Sequence, residues 1–186
     1  MSNHSDEASD AAAAFMLQFS EEPEHVSVIL ACSRIDELLG ILIRSRLLPC
    51  PAKNDQLLES ERGLGTFSNR IDLAYRLGLI PNRLSEVLHL LRKIRNDFAH
   101  TYTGQRMDSS PHTDRLMEAL RLIKIEGDMP VVRKGMRLRN PMLSQARENF
   151  TILAIVIIGS LEMATRIVQS VDNTLCEKLK VLRWFD

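Results

Sequence analysis

The segment Arg95-Asn96-Asp97-Phe98-Ala99-His100 carries the side chains in this 186-residue chain best suited to chemistry. A guanidinium holds phosphate or carboxylate through forked hydrogen bonds, and an imidazole moves a proton near neutral pH. Arg95 and His100 could therefore divide the holding and the proton transfer of phosphodiester cleavage, with Asn96 as a further hydrogen-bonding group. The spacing alone is weakly specific. With 18 Arg and 5 His in the chain, random order supplies about half of one such pair.

A helix over 81–100 must position these groups. On a 3.6-residue wheel Leu84, Val87, Leu88, Leu91, Ile94 and Phe98 form one apolar stripe, and Arg95 falls inside it. Asn96 and His100 share the polar side, near His89. Arg95 and His100 are roughly 140° apart, so they serve one small group only where the helix ends or where two chains meet. A buried, unpaired charge costs several kcal/mol, so Arg95 calls for a carboxylate. The first helix offers Glu37, which lies with Ser33 in a stripe of Val26, Leu30 and Ile41, and the adjacent Asp36. An Arg95–Glu37 or Arg95–Asp36 ion pair is expected.

The second candidate surface is the basic stretch Arg133-Lys134-Gly-Met-Arg137-Leu-Arg139, suited to a phosphate backbone or an acidic partner, with a solvated loop as the plainer reading. Other chemistry is thin. The five histidines make no HxxxH or Cys/His spacing, so no metal and no cofactor is expected. Gly63-x-Gly65 has neither the third glycine of a dinucleotide loop nor the Lys-Ser/Thr of a P-loop. Cys32, Cys50 and Cys176 are odd in number and lack a CxxC pair, which fits reduced thiols in the cytoplasm.

The framework reads as all-α, an irregular multi-helix bundle with a long C-terminal helix. Helices are expected over about 23–48, 54–62, 66–77, 81–100, 112–124 and 143–180, and 127–141 reads as a loop or short hairpin. The first helix is apolar on two sides. One stripe has Val26, Ile29, Leu30, Ile41, Leu47 and Leu48; the other has Ile35, Leu38, Leu39, Leu42 and Ile43. That places it between neighbours. Residues 1–22 read as an acidic, disordered or weakly helical tail, and 23–186 as a single helical domain. Trp184 and Phe185 read as docked on the body or as a partner-binding tip.

Charge argues against a protein that grips nucleic acid by bulk electrostatics. Basic and acidic residues both number 24, whereas such a protein usually shows a basic excess. Residues 1–24 carry six acids and no base, leaving a modest basic surplus in the rest. The apolar run Phe150–Ile158 is about half of the ~20 residues a membrane span needs, so no membrane is expected. Arg70–Leu90 superficially fits a helix-turn-helix through Ala74, Gly78, Leu84 and Val87, but its second helix is too apolar to read bases.

Three segments carry a family resemblance: Ala31-Cys-Ser-Arg-Ile-Asp-Glu-Leu-Leu39, Gly63-Leu-Gly-Thr-Phe-Ser-Asn-Arg-Ile-Asp-Leu-Ala-Tyr-Arg-Leu-Gly-Leu-Ile80 and Leu90-Leu-Arg-Lys-Ile-Arg-Asn-Asp-Phe-Ala-His100. Together, over about 25–125, they closely resemble the mannitol operon repressor family. That resemblance implies an all-helical fold and a role in bacterial transcriptional repression, here expected to act through a protein partner such as another regulator. Arg95-Asn96-x-x-x-His100 also resembles the RNxxxH signature of HEPN-type (higher eukaryotes and prokaryotes nucleotide-binding) domains. These are helical bundles, often dimeric, and some are metal-independent ribonucleases in which Arg and His from two chains share one site. The resemblance implies Arg95, Asn96 and His100 as catalytic or nucleotide-binding residues, and a homodimer. A non-enzymatic repressor is the reading adopted. The alternatives are a HEPN-like ribonuclease or nucleotide-binding module, and a repressor that binds DNA directly.

Overall fold

A computed structural model describes residues 22–50, 56–59, 62–100, 104–123 and 130–168. Six α-helices make up the described chain: α1 Glu24–Ser45, α2 Phe67–Arg76, α3 Asn82–His100, α4 His112–Ile123, α5 Pro130–Arg139 and α6 Gln145–Ile167. The all-α bundle expected from the sequence is what forms. The expected acidic tail lies almost wholly outside the described residues, as do Trp184 and Phe185.

α1, α3 and α6 form the centre. α1 packs on α2, α3 and α6, α4 bridges α3 and α6, and α5 lies on α6. The core joins Ile35, Leu38, Leu39 and Leu42 of α1 to Leu88, Leu91 and Ile94 of α3 and to Phe150, Leu153 and Ile157 of α6. These α1 residues recur at three- and four-residue spacing and so share one face. The other α1 stripe is turned outward: Leu30 and Ile41 are each 41% exposed. α1 is therefore buried on one side, not two.

Local signals explain the helix ends. Thr66 Oγ1 accepts from the Asn69 N–H at 3.2 Å and caps α2. Gly78 ends that helix with φ +70°. Leu79 N–H donates to the Ala74 carbonyl and Gly78 N–H to the Tyr75 carbonyl, both at 2.9 Å. This is the 6→1, 5→2 pairing of a Schellman motif, whose left-handed residue favours glycine. Ser144 Oγ caps α6 by accepting from Arg147 N–H at 3.2 Å.

Three elements depart from expectation. The stretch read as a loop or hairpin contains α5; the Val131-Val132 pair looked strand-like, but Pro130 suits a first helical turn and Arg, Lys, Met and Leu follow. The long last helix stops at Ile167 rather than near 180, because Val168 takes an extended conformation, φ −67° and ψ 122°. Within the span read as a short helix over 54–62, the described residues form turns.

α6 is long and apolar enough to cross a membrane by length and composition, with a mean hydropathy of 1.8. In this fold it is the core helix against α1, α4 and α5, and it carries a buried, ion-paired Glu148 in its first turn.

Candidate functional site

The end of α3 sends its side chains to different places. Arg95 is half-buried beside α1, where its charge acts on Cys32 and Asp36, and its Nη1 donates to Asn96 Oδ1 at 3.2 Å. The direct ion pair expected for Arg95 falls instead to Arg70. Arg70 Nη1 is 2.9 Å from Asp36 Oδ2. Arg70 also donates to the Asp36 carbonyl at 3.3 Å and to the Leu58 carbonyl at 2.5 Å, tying α1, α2 and the 56–59 turn together. Glu37 lies on the outward face of α1 and pairs with Arg34 at 2.8 Å. The stripe that suggested a buried Glu37 is the one that faces solvent, which is why that pairing does not form. Burial pushes the Asp36 carboxyl above its ordinary value, and Arg70 only partly offsets this.

Asp97 and Phe98 turn toward α4. Asp97 accepts from Arg115 and lies 3.8 Å from Nδ1 of the buried His112. The Phe98 and His112 rings are 5.1 Å apart, and His112 Nε2 is 2.7 Å from Gln105 Oε1. Burial lowers the His112 pKa below its ordinary value, against the opposing pull of Asp97. His100, the last residue of α3, is exposed and shares no hydrogen bond or ion pair with Arg95 or Asn96. A single chain thus joins Arg95 to Asn96 and leaves His100 apart. His112, which sequence reasoning passed over, is the buried histidine next to the motif. Asp97, two residues from Arg95, gave no signal for it beyond an unassigned acid.

Two of the four basic residues of the stretch are engaged in the fold. Arg133 and Arg137, one turn apart on α5, converge on Glu148 of α6, whose side chain is 1% exposed. Arg133 Nη1 donates to Glu148 Oε2 at 3.2 Å and Arg133 Nη2 to Asn149 Oδ1 at 2.9 Å. Arg137 Nε donates to Glu148 Oε1, and its Nη2 to Oε2 at 2.9 Å. These bonds, those from Arg137 foremost, hold the Glu148 carboxyl below its ordinary value. Lys134 is exposed, and the Arg139 side chain lies outside the described residues. Glu148 gave no signal in the sequence: it stands in the polar stretch Ser144–Asn149, just before the apolar run Phe150–Ile158.

Two further facts bear on function. The stripe Val87, Leu88, Leu91 and Ile94 of α3 is buried, so the helix in the recognition position of the helix-turn-helix-like segment is a core helix. Among the described residues no group of three or more His, Cys, Asp or Glu is placed to hold a metal ion.

Neither a protein-family model nor a curated protein matches this chain. Among solved structures, a chain of the MtlR–HPr complex from Escherichia coli is similar, with a TM-score of 0.55 at 18% identity over 80% of this chain and 98% of that one. At that identity the likeness is one of fold: the protein shares the helical architecture of a chain solved in the MtlR–HPr complex.

Proposed function

We propose that the protein is a cytoplasmic, non-enzymatic repressor of the mannitol operon repressor type, working as a dimer through a protein partner. The observation that carries this reading is the fold shared with a chain solved in a complex of MtlR with HPr. The three sequence segments that resemble the family point the same way. Two features favour a protein partner over DNA. The helix that would enter a major groove is buried in the core, and Arg133 and Arg137 of the basic stretch are held by Glu148.

Titration calorimetry of the purified chain with HPr from the same organism tests the reading. Saturable binding is expected. Absence of binding, together with no regulator co-purifying from the native cell, would overturn it. A salt-dependent shift of operator DNA that weakens on Lys134→Glu would establish direct DNA binding in its place. Metal-free RNA cleavage, abolished by both Arg95→Ala and His100→Ala in folded protein, would establish the ribonuclease.

A further inference from the structure

A groove of about 420 Å³ opens where the start of α3, the end of α4 and the C-terminal half of α6 meet. Leu84, Ile123, Val156, Leu161 and Ala164 give it an apolar wall, and Arg83 is the one charged residue lining it among the described residues. The apolar surface continues along α6. Met163 and Ile167 are 56% and 68% exposed, and they fall on the same side of the helix as Ser160 and Ala164. Covering such a surface is favourable by about 25 cal/mol per Å² of apolar area, and contiguous apolar patches mark docking sites.

The chain itself provides a cover at the right place. Ala164 lines the groove, and α6 ends one turn later. Val168 packs on the core and ends the helix in an extended conformation. Residues 169–186 follow. An extended segment of that length reaches about 60 Å and a helical one about 27 Å, either enough to span the groove. Thr174-Leu-Cys-Glu177 has the sequence form of a helix-starting capping box. Leu175, Leu179 and Leu182 then recur at i, i+4 and i+7, followed by Trp184 and Phe185. A tethered segment acts at an effective concentration in the millimolar range, which favours it over a free occupant of equal intrinsic affinity at lower concentration.

We propose that residues 169–186 fold back onto this groove and cover it with Leu175, Leu179 and Leu182. Any second protein that uses this face must first displace the segment.

Trp184 is the chain's single tryptophan, so its fluorescence reports the docking in the full-length protein. The expected result is emission blue of free tryptophan, protection from acrylamide, and no dependence on protein concentration. Ser160→Glu and Ala164→Glu should each shift the emission to the red and raise quenching several-fold, with helical circular dichroism retained. Lys93→Glu, on an exposed part of α3, should change neither. Free-tryptophan emission in the unaltered chain, or emission insensitive to both groove variants, would overturn the proposal. Emission that depends on concentration would assign the groove to a second copy. A thiol measurement stands independently of those variants. With Ser160→Cys in a Cys50→Ser background, oxidation should link position 160 to the native Cys176 within one chain. Formation of linked dimers alone, or of no link, would overturn the proposal.

Discussion

Arg137→Met should destabilise the protein far more than the solvent exposure of Arg137 suggests. Arg137 is 56% exposed, yet it supplies two of the three guanidinium hydrogen bonds drawn to Glu148, which is 1% exposed. The substitution removes a partner that sits partly in water and leaves a carboxylate that does not. Two charge-assisted hydrogen bonds contribute about 1.5–3 kcal/mol each. Arg133 stays to compensate part of the charge, and the exposed side of Arg137 is screened, so a loss of about 2–3 kcal/mol is expected. For a chain of this size that corresponds to a fall in Tm of about 5–10 °C at pH 7. The effect should depend on pH with a definite sign. A carboxyl whose folded pKa is depressed contributes stability above its ordinary value and loses it as pH falls through the depressed one. The gap between Arg137→Met and the unaltered protein should therefore narrow steadily as pH falls from 7 through and below the ordinary carboxyl range, as Glu148 takes up its proton. Thermal melts followed by circular dichroism across that range measure this. A variant within about 1 °C of the parent at pH 7, or a gap that persists in acid, would refute the account of α5 as a helix anchored by charge.

Other positions give contrasting expectations. Arg70→Met should cost about 2–4 kcal/mol, because it leaves the partly buried Asp36 unpaired and frees the Leu58 carbonyl, and limited proteolysis should then open the 56–59 turn. Arg34→Ala, which breaks ion pairs with Glu37 and Glu162 nearer the surface, should cost under about 1 kcal/mol in urea melts. Gly40→Ala should be neutral or stabilising by up to about 1 kcal/mol, since the added Cβ meets Arg44 Nη1 at 3.6 Å and Arg70 Nη1 at 3.7 Å, both ordinary contacts. Gly78→Ala should be destabilising, because φ there is +70°. Cys50 should react promptly with a maleimide, while Cys32, buried with its thiol pKa pushed up to about 12, should react only as the protein unfolds.

What the sequence disclosed follows from how local the cause was. Thr66 and Gly78 bound α2 through contacts within a few residues, and the α3 stripe has a clear helical period, so both helices were legible. α1 was harder because apolar residues occupy two sides of it; which side is buried depends on where α3 and α6 lie, and no local pattern contains that. The same limit decided the ion pairs. Arg95 was recognised as a charge needing compensation, but choosing between Arg70 and Arg95 as the partner of Asp36 requires the approach of α2 to α1. α5 was missed because its Val-Val pair and glycine argue against a helix, and its anchor, Glu148, lies at the start of the next one.

The Arg95–His100 segment is best understood as a junction. Within six residues it turns Arg95 to α1, Asp97 to Arg115 of α4, Phe98 onto His112 and His100 to solvent. Helical geometry makes this division unavoidable, since consecutive residues are about 100° apart and a helix packed on three neighbours must address each in turn. A motif of this kind can mark a shared fold without sharing chemistry: Asp97 and Phe98 meet structural demands here, and Arg95 is close enough to Asp36 and Cys32 to be held by the bundle. Chemistry at this segment would require His100 to meet an arginine that its own helix carries away from it. That can come from a second chain, and it sets a concrete requirement on any dimer offered as a ribonuclease: its interface must bring the exposed end of α3 of one protomer against the α1–α3 edge of the other.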